Sequence, residues 1–236
     1  MIKLENTVLP SAEQWEAVIR GMRNPKNSWD RSDSAAGCID GSRVVHYCKS
    51  CPYHERNSCY SNEIIIGPND HELMMSLAKG GPVHAKYRRM IPVYVDITAP
   101  LYWWKEFDTY KVGTVVNSCS TMHKIHSKEF ELDDFSHDRL DQIGTNCLEV
   151  TIRYLNECRA KFNETKDRAW WDYMIQSLPT SYNQRRTVMM SYEVLHNIYF
   201  SRKNHKLPEW HEMCAWIVDL PYSEIITCEE VLEDVG

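Results

Sequence analysis

Apolar residues recur every three or four positions along much of the chain, the spacing of a helix that buries one face. Ser11 suits the N-cap of the first predicted helix, and Leu73, Met74 and Leu77 share a face of the second. Pro100 and Pro208 each suit the first turn of a helix. The pattern predicts helices over residues 11–23, 69–79, from Pro100 to about Tyr110, within 133–163, over 166–177 and 185–202, and from Pro208 to before Pro221.

Only one stretch shows the alternation of a half-buried strand. Residues 91–97 place Ile91, Val93, Val95 and Ile97 on one side of the chain. The turn-rich stretch NPKNSWDRSDSAAGCIDGSR is expected to be irregular, and residues 35–62 are expected to form a Cys-rich insertion loop. The sequence therefore predicts a single, mostly helical α+β domain over residues 1–236.

Composition excludes several classes of function. The 236 residues carry a formal net charge of −6, which argues against binding of duplex nucleic acid, since that needs a basic face. No apolar run reaches the roughly 20 residues of a membrane span, and the first residues show no export signal. Nine cysteines without such a signal favour free thiols and a cytoplasmic protein.

A run of small polar residues, NSCST, follows the predicted helix that ends near Tyr110. Its hydroxyls and successive backbone amides form a donor set in which an anion can settle, which makes candidates of Asn117, Ser118, Ser120 and Thr121. The alternative is an ordinary turn whose Asn and Ser side chains bond their own backbone.

Two arginines lie at the ends of the helix predicted over 185–202. Arg185 and Arg202 present forked donors that suit a phosphate or a pyrimidine carbonyl, and Tyr182 precedes them closely enough to line the same pocket. The alternative is that both are surface arginines at helix ends. Their neighbours Arg186 and Lys203 are expected to be solvated.

The cysteines suggest two further chemistries. Cys119 stands four residues before His123, the pairing of a nucleophile and a base, although such a cysteine more often serves packing. A Cys-x-x-Cys pair and a later cysteine supply part of a tetrahedral zinc site, to be completed by His54 or Cys38, and the alternative is a loop with free thiols. The proposed zinc ligands are Cys48, Cys51 and Cys59.

Two adjacent tryptophan pairs, Trp103-Trp104 and Trp170-Trp171, cannot both point in one direction from a helix. We expect one indole of each pair in the core and its neighbour at a subunit interface.

The order of these features resembles the flavin-dependent thymidylate synthases over roughly residues 60–220. VDITAPLYWWKEF matches the family's strand and its "AP" helix, and Leu178-Pro179 is followed six residues later by Arg185. A helix that ends in Arg202 and the stretch PEWHEM then match the family's late arginine and its Trp-containing helix. The resemblance implies a small antiparallel sheet, a polar loop that binds the phosphate of dUMP, and a homotetramer with shared active sites. It also implies FAD as cofactor and methylenetetrahydrofolate as carbon donor.

One departure from the family pattern bears on the flavin. Where the family has Arg-His-Arg after its helix, this chain has Asp108-Thr109-Tyr110, which reverses the local charge. The chain thus resembles a divergent, phage-type member, expected in the cytoplasm of a bacterium or of a phage-infected host. Three hypotheses follow: a flavin-dependent methylase or hydroxymethylase of dUMP or a related pyrimidine deoxynucleotide, a non-catalytic nucleotide-binding or sequestering protein without flavin, and a purely structural relative.

Overall fold

The computed structural model describes residues 1–40, 43–47 and 63–229. Its main sheet has four antiparallel strands in the order β1–β5–β7–β6. These strands are β1 (Lys3–Val8), β5 (Pro92–Pro100), β6 (Thr114–Ser118) and β7 (Asn183–Ser191). A second antiparallel sheet has the order β3–β2–β4 and comprises β2 (Ala35–Asp40), β3 (Arg43–Tyr47) and β4 (Glu63–Ile65).

Helices supply most of the remaining regular structure. Ser11 and Gln14 form a reciprocal capping box at the start of α1, and the Asp141 carboxylate accepts the Gly144 amide at the start of α4. The helices are α1 (Ala12–Arg23), α2 (Pro68–Lys79), α3 (Leu101–Phe107), α4 (Gln142–Thr165), α5 (Arg168–Ser177), α6 (Tyr192–Arg202), α7 (Pro208–Val218) and α8 (Glu224–Thr227). The sheet and helices confirm the predicted fold class, a mostly helical α+β domain with a small antiparallel sheet.

The main core lies on one face of the four-stranded sheet. Val93, Val95 and Ile97 of β5 point into it and are at most 1% exposed. Trp103 and Trp210 pack together there, with ring centroids 4.6 Å apart. A smaller core joins α4 and α5 to the segment before them, and its members include Ile125, Phe130, Phe135, Leu148, Leu155 and Met174. Both cores are filled mainly by large apolar side chains.

The predicted helix over residues 185–202 is wrong in its first half. Residues up to Ser191 form β7, which pairs with β5 on one side and β6 on the other. Val188 and Met190 are fully buried, whereas Arg185 and Thr187 are exposed, so the side chains alternate as in a strand. Pairing on both edges outweighs the local helical spacing. Arg185 therefore lies in a strand, and only Arg202 ends a helix.

Other segments also differ from the sequence-based expectations. Part of the polar run, Asn117 and Ser118, belongs to β6 rather than to a loop. The strand β1 was not predicted, and strands β2 and β3 lie within the segment expected to be an irregular loop. The helical pattern over 133–163 begins only at Gln142.

The tryptophan expectation does not hold for the first pair. Trp103 and Trp104 are 0% and 1% exposed, so both lie in the core of this chain. The Trp104 ring nitrogen donates to the Gln184 carbonyl, while Trp103 stacks on Phe107. Trp170 and Trp171 are both half-buried.

Candidate functional site

Two clefts are lined by residues of strand β6 and of the segment that follows it. The first, called here the polar-loop cleft, follows the end of β6, and the second, the α3 cleft, lies at the C-terminal end of helix α3. Successive side chains of a strand point to opposite faces of its sheet. Arg185 and Arg186 therefore face different sides, and Arg186 is on the side of α3.

The polar-loop cleft has a volume of about 330 Å³ and contains two ammonium groups. Lys128 is bound by Asp134 at 3.1 Å, and this hydrogen bond raises the pKa of Lys128. Lys124 is exposed and has no ion pair within the described residues. The lining residues are Cys119, Ser120, Lys124, Ile125, Ser127, Lys128, Glu129, Phe130, Asp134 and Tyr182.

The polar loop uses several of its own donors. The Ser120 hydroxyl oxygen accepts hydrogen bonds from the backbone amides of Met122 and His123 at 3.3 and 2.9 Å. At Ser120 the loop is therefore an ordinary turn, in which a side chain bonds its own backbone. The Cys119 amide donates to the Arg185 carbonyl at 2.9 Å. The Ser120 O–H is still able to donate, so the loop offers an anion a hydroxyl and a lysine rather than a full set of amides.

Tyr182 forms one wall of this cleft. Its carbonyl accepts the Leu101 amide at 3.0 Å, which fixes the segment before β7 against the start of α3. The ring packs edge-on against Phe130 and Phe135. Burial is the main cause that raises the pKa of Tyr182, so the phenol stays neutral and can donate a hydrogen bond.

Arg185 lies beside the polar loop but is bound to an acid. Its Nη2 donates to Asp96 Oδ2 at 2.7 Å on the exposed face of the sheet. Hydrogen bonds from Thr187, Asn6 and Arg185 hold the pKa of Asp96 far below its usual range. Asn117 pairs with Thr187 in the strand register and points to the same exposed face.

The α3 cleft also has a volume of about 330 Å³, and Asp108 and Tyr110 are among its lining residues. Asp108 is bound by Arg186 Nη1 at 2.7 Å, and the Arg186 guanidinium lies 4.1 Å from the ring centroid of Trp104. The Thr114 hydroxyl is buried and accepts or donates no hydrogen bond within the part of the chain that the structure describes. The lining residues are Phe107, Asp108, Tyr110, Lys111, Thr114 and Val116.

Arg202 belongs to the surroundings of the α3 cleft. Its Nη1 donates to Glu106 Oε2 at 2.8 Å and its Nε donates to the Tyr110 hydroxyl at 2.9 Å. Its guanidinium lies 4.7 Å from the ring centroid of Trp210. Glu106 also accepts the Trp210 ring nitrogen, and the guanidinium therefore has a well-defined position.

The structure thus divides the predicted site into two groups. Ser120 and Tyr182 line one cleft, and the Cys119–Arg185 hydrogen bond places Arg185 next to it. Thr121 is half-buried in the same loop. Among the described residues, Arg202 shares no hydrogen-bond partner with Arg185, so the two arginines do not converge within one chain.

The position of Arg186 differs from the one expected from the sequence. Arg186 is expected to be solvated, yet its side chain is only 13% exposed. The available signal was the alternation of Gln184, Arg186 and Val188, which a strand places on one face. Lys128 also lines a cleft, although no pattern in the sequence marks it as a candidate binding residue.

The proposed pairing of Cys119 with His123 receives no support from the cleft geometry. His123 lines a neighbouring cleft with His126, Phe162, Arg168 and Trp171, whereas Cys119 lines the polar-loop cleft. The proposed zinc ligands Cys48, Cys51, Cys59 and His54 lie outside the described residues, as does the side chain of Cys38. Within the described part, no group of three or more His, Cys, Asp or Glu side chains could hold a metal ion.

In the described part of the chain, no helix is both long enough and apolar enough to cross a membrane. No protein-family model matches the sequence, and no curated protein matches it either.

The fold, by contrast, is similar to solved structures. Thymidylate synthase X (ThyX) from Helicobacter pylori, solved with FAD and dUMP, aligns over 97% of this chain and 96% of its own, with a TM-score of 0.59 and 15% identity. A second structure, the flavin-dependent thymidylate synthase ThyX from Helicobacter pylori complexed with FAD and dUMP, covers 97% of each chain, with a TM-score of 0.58 and 13% identity. The chain therefore has the fold of the flavin-dependent thymidylate synthases.

Proposed function

We propose that the protein is a thymidylate synthase-like enzyme that binds FAD and a pyrimidine deoxynucleotide, with dUMP as the first candidate. It would methylate or hydroxymethylate the base with the carbon of methylenetetrahydrofolate. The observation that carries this proposal is the hydrogen bond from the Cys119 amide to the Arg185 carbonyl. In a chain with this fold, that bond brings the polar loop and the strand arginine together, as the family resemblance requires.

The nucleotide phosphate is assigned to the polar-loop cleft. Lys124 supplies an ammonium without a carboxylate partner in the described residues, and Ser120 supplies a hydroxyl that can donate. Tyr182 provides an aromatic wall and a neutral phenol. Arg185 can reach an anion there only by exchanging its contact with Asp96. Asn117, Ser118 and Thr121 are proposed to contact the nucleotide as neighbours of this cleft.

The α3 cleft fits the polar part of a flavin nucleotide. Lys111 supplies an ammonium, and Thr114 supplies a buried hydroxyl that has no partner in the described chain; both suit phosphate or ring oxygens. Tyr110 and Phe107 add aromatic surface. FAD, when bound, would supply the hydride chemistry, and the residues of this chain would bind it and exclude water.

Arg202 lies beside the α3 cleft, and we propose that it contacts the pyrimidine base of a nucleotide held by another copy of the chain in the proposed homo-oligomer. Its guanidinium group is held in position by Glu106, Tyr110 and Trp210. Because the side chain is already ordered, it loses little conformational entropy when a ligand binds. Glu106 competes with the ligand for the same guanidinium, which makes binding an exchange of partners.

A second candidate function is a nucleotide-binding protein without flavin. The Asp108–Arg186 ion pair favours it, because the strand arginine nearest the α3 cleft is already neutralised. In that case the polar-loop cleft would still bind a nucleotide, and no redox chemistry would follow.

We also propose that the protein forms a homo-oligomer, with a tetramer favoured by the family resemblance. Helix α4 carries an exposed apolar stripe of Ile143, Cys147, Val150 and Tyr154, at positions i, i+4, i+7 and i+11. Ile143 is 73% and Val150 55% exposed. This spacing is that of a helix seam that packs against a copy of itself. A second copy of the chain is the occupant assigned to this stripe.

Two measurements test the proposal. The freshly purified protein should show the absorbance of an oxidised flavin, and dUMP at about 100 times its dissociation constant should stabilise it by about 2.7 kcal/mol. For a chain of this size, that free energy raises the melting temperature by roughly 5–10 °C.

Lys124→Ala should remove most of the dUMP effect, whereas Lys105→Ala, which changes an exposed lysine of α3 outside both clefts, should keep it. Colourless protein that dUMP still stabilises would favour the second candidate. An unchanged melting temperature with every pyrimidine deoxynucleotide would contradict both.

A further inference from the structure

A third cleft lies away from β7, between the end of α1 and the side of α2. Its volume is about 750 Å³, more than twice that of the polar-loop cleft. None of its lining residues lines the polar-loop cleft or the α3 cleft. We call it the α1–α2 cleft, and its lining residues are Arg23, Lys26, Ser28, Arg31, Asn69, Glu72, Leu73 and Ser76.

The α1–α2 cleft is built on a buried arginine with one unused donor. Arg23 is 3% exposed, and its Nε donates to Asp70 Oδ1 at 2.5 Å. Its Nη1 donates to the carbonyl and the hydroxyl of Ser28, each at 3.2 Å. Its Nη2 is buried and has no hydrogen-bond partner among the described residues. A guanidinium N–H without an acceptor is unfavourable in a folded protein, so an acceptor from a ligand would complete the set.

The position of Arg23 is fixed independently of any ligand. Asp70 is 0% exposed, and its second oxygen, Oδ2, accepts the hydroxyls of Ser32 and Ser34 and the amides of Asp33 and Ser34. This network holds the turns after α1 against the start of α2. The negative charge of Asp70 is therefore compensated by these donors within the protein.

The remaining charges of the α1–α2 cleft are positive on balance. Lys26 and Arg31 form no ion pair with any described residue, and Glu72 is the one carboxylate among the described lining side chains. The first amides of α2 do not take part, because Asp33 accepts those of Asn69 and Asp70. An anion would accordingly be bound by side chains, and Glu72 would accept a hydroxyl or amine of the same ligand.

We propose that the α1–α2 cleft binds a phosphorylated small molecule, with its phosphate held by Arg23, Lys26 and Arg31. A phosphate has enough oxygens to accept from two guanidinium groups and an ammonium at once. Leu73 offers apolar surface to the rest of the ligand. This site is separate from the proposed nucleotide and flavin clefts, so the inference does not depend on the proposed function.

Isothermal titration with inorganic phosphate and with pyrophosphate tests the proposal on the full chain. The double variant Lys26→Ala/Arg31→Ala should weaken binding at least about tenfold, since each lost charge-assisted hydrogen bond has a comparable effect. Arg20→Ala is the matched control, because Arg20 is an exposed arginine of α1 that does not line the cleft. Arg23 is left intact, since its loss would leave Asp70 without its partner.

Two results would overturn the proposal. They are no detectable binding of either anion to the wild-type protein, and equal affinity in the wild type and the double variant. In the second case, loss of binding in Lys124→Ala would assign the anion to the polar-loop cleft. Because dUMP binding is measured separately, failure of this proposal and failure of the proposed function can be distinguished.

Discussion

The substitution Arg23→Met removes the guanidinium on which the α1–α2 cleft is built while keeping an unbranched side chain of similar length. Arg23 is the only described donor to Asp70 Oδ1, whereas Asp70 Oδ2 accepts four other donors. The substitution therefore leaves one oxygen of a fully buried carboxylate without a partner. It also removes the two hydrogen bonds that Arg23 donates to the carbonyl and the hydroxyl of Ser28, in the first turn after α1.

The expected cost follows from this geometry. Breaking a buried ion pair by removal of one partner costs about 3–5 kcal/mol. Since Asp70 keeps the four donors on Oδ2, we expect the lower end, about 3 kcal/mol. A chain of this size loses roughly 2–4 °C of melting temperature per kcal/mol, so Arg23→Met should melt about 6–12 °C below the wild type.

The pH dependence gives an independent check. Burial acts to raise the pKa of Asp70, but hydrogen bonds from Ser34, Arg23 and Ser32 outweigh it and lower the pKa. A carboxyl with a lowered pKa in the folded state stabilises the protein above the unfolded pKa of about 3.9, and this contribution is lost as the pH falls through the folded pKa. The stability difference between wild type and Arg23→Met should shrink below about pH 4.

Urea denaturation at pH 7 and at acidic pH measures both effects. Arg20→Met, an exposed substitution on the same helix, should cost less than about 0.5 kcal/mol. Adding Asp70→Asn to Arg23→Met removes the uncompensated charge and should recover part of the loss. A cost below about 1 kcal/mol for Arg23→Met, or a difference from wild type that does not change with pH, would show that the Arg23–Asp70 pair is not a buried ion pair that stabilises the fold.

Two further expectations concern thiols and assembly. Burial raises the pKa of Cys214 to about 11, so alkylation of the native protein near pH 8 should label the exposed Cys119 and leave Cys214 unmodified until the chain is unfolded. Peptide mapping by mass spectrometry measures this, and rapid labelling of Cys214 would contradict its burial. Val150→Glu places a charge in the middle of the exposed stripe on α4 and should shift the protein toward monomers in size-exclusion chromatography with light scattering. An unchanged molar mass would show that another surface joins the copies.

Local signals predicted most helices and the central strand. The capping residue Ser11 and the prolines before α3 and in α7 mark helix starts that the structure confirms. These features act within one turn of the chain, so a sequence shows them directly. The alternating residues of β5 likewise reveal a strand with one face in the core.

Strands that depend on distant partners could not be predicted in this way. The spacing of Val188, Tyr192 and Leu195 fits a helix, but Val188 pairs with Val95 of β5 and Val116 of β6. Those contacts join segments about 70 to 95 residues apart in the sequence. The same limitation explains why β6 is expected to be a loop and why β1 is missed.

The error in β7 carried over to the candidate site. On a helix, Arg185 and Arg202 would mark two ends of one element, and Arg186 would be an incidental neighbour. On a strand, Arg185 faces the exposed side with Asp96, whereas Arg186 faces α3 and binds Asp108. The residue types of the site were thus predictable, but the faces on which they lie were not.

Each of the three arginines near the two proposed clefts is bound by a carboxylate: Arg185 by Asp96, Arg186 by Asp108 and Arg202 by Glu106. An incoming phosphate must replace that carboxylate, and the net gain is the difference between two similar charge-assisted interactions. Lys124 has no such partner in the described chain, so its interaction with a phosphate replaces only water. Binding of a nucleotide should therefore depend more on Lys124 than on Arg185, even though an arginine is the stronger phosphate ligand in isolation. This exchange of partners gives Asp108 and Glu106 two roles. In the free protein they hold the guanidinium groups of Arg186 and Arg202 in place. Because an anion must displace them, they also lower the affinity for an anion that binds these arginines without also contacting the polar loop.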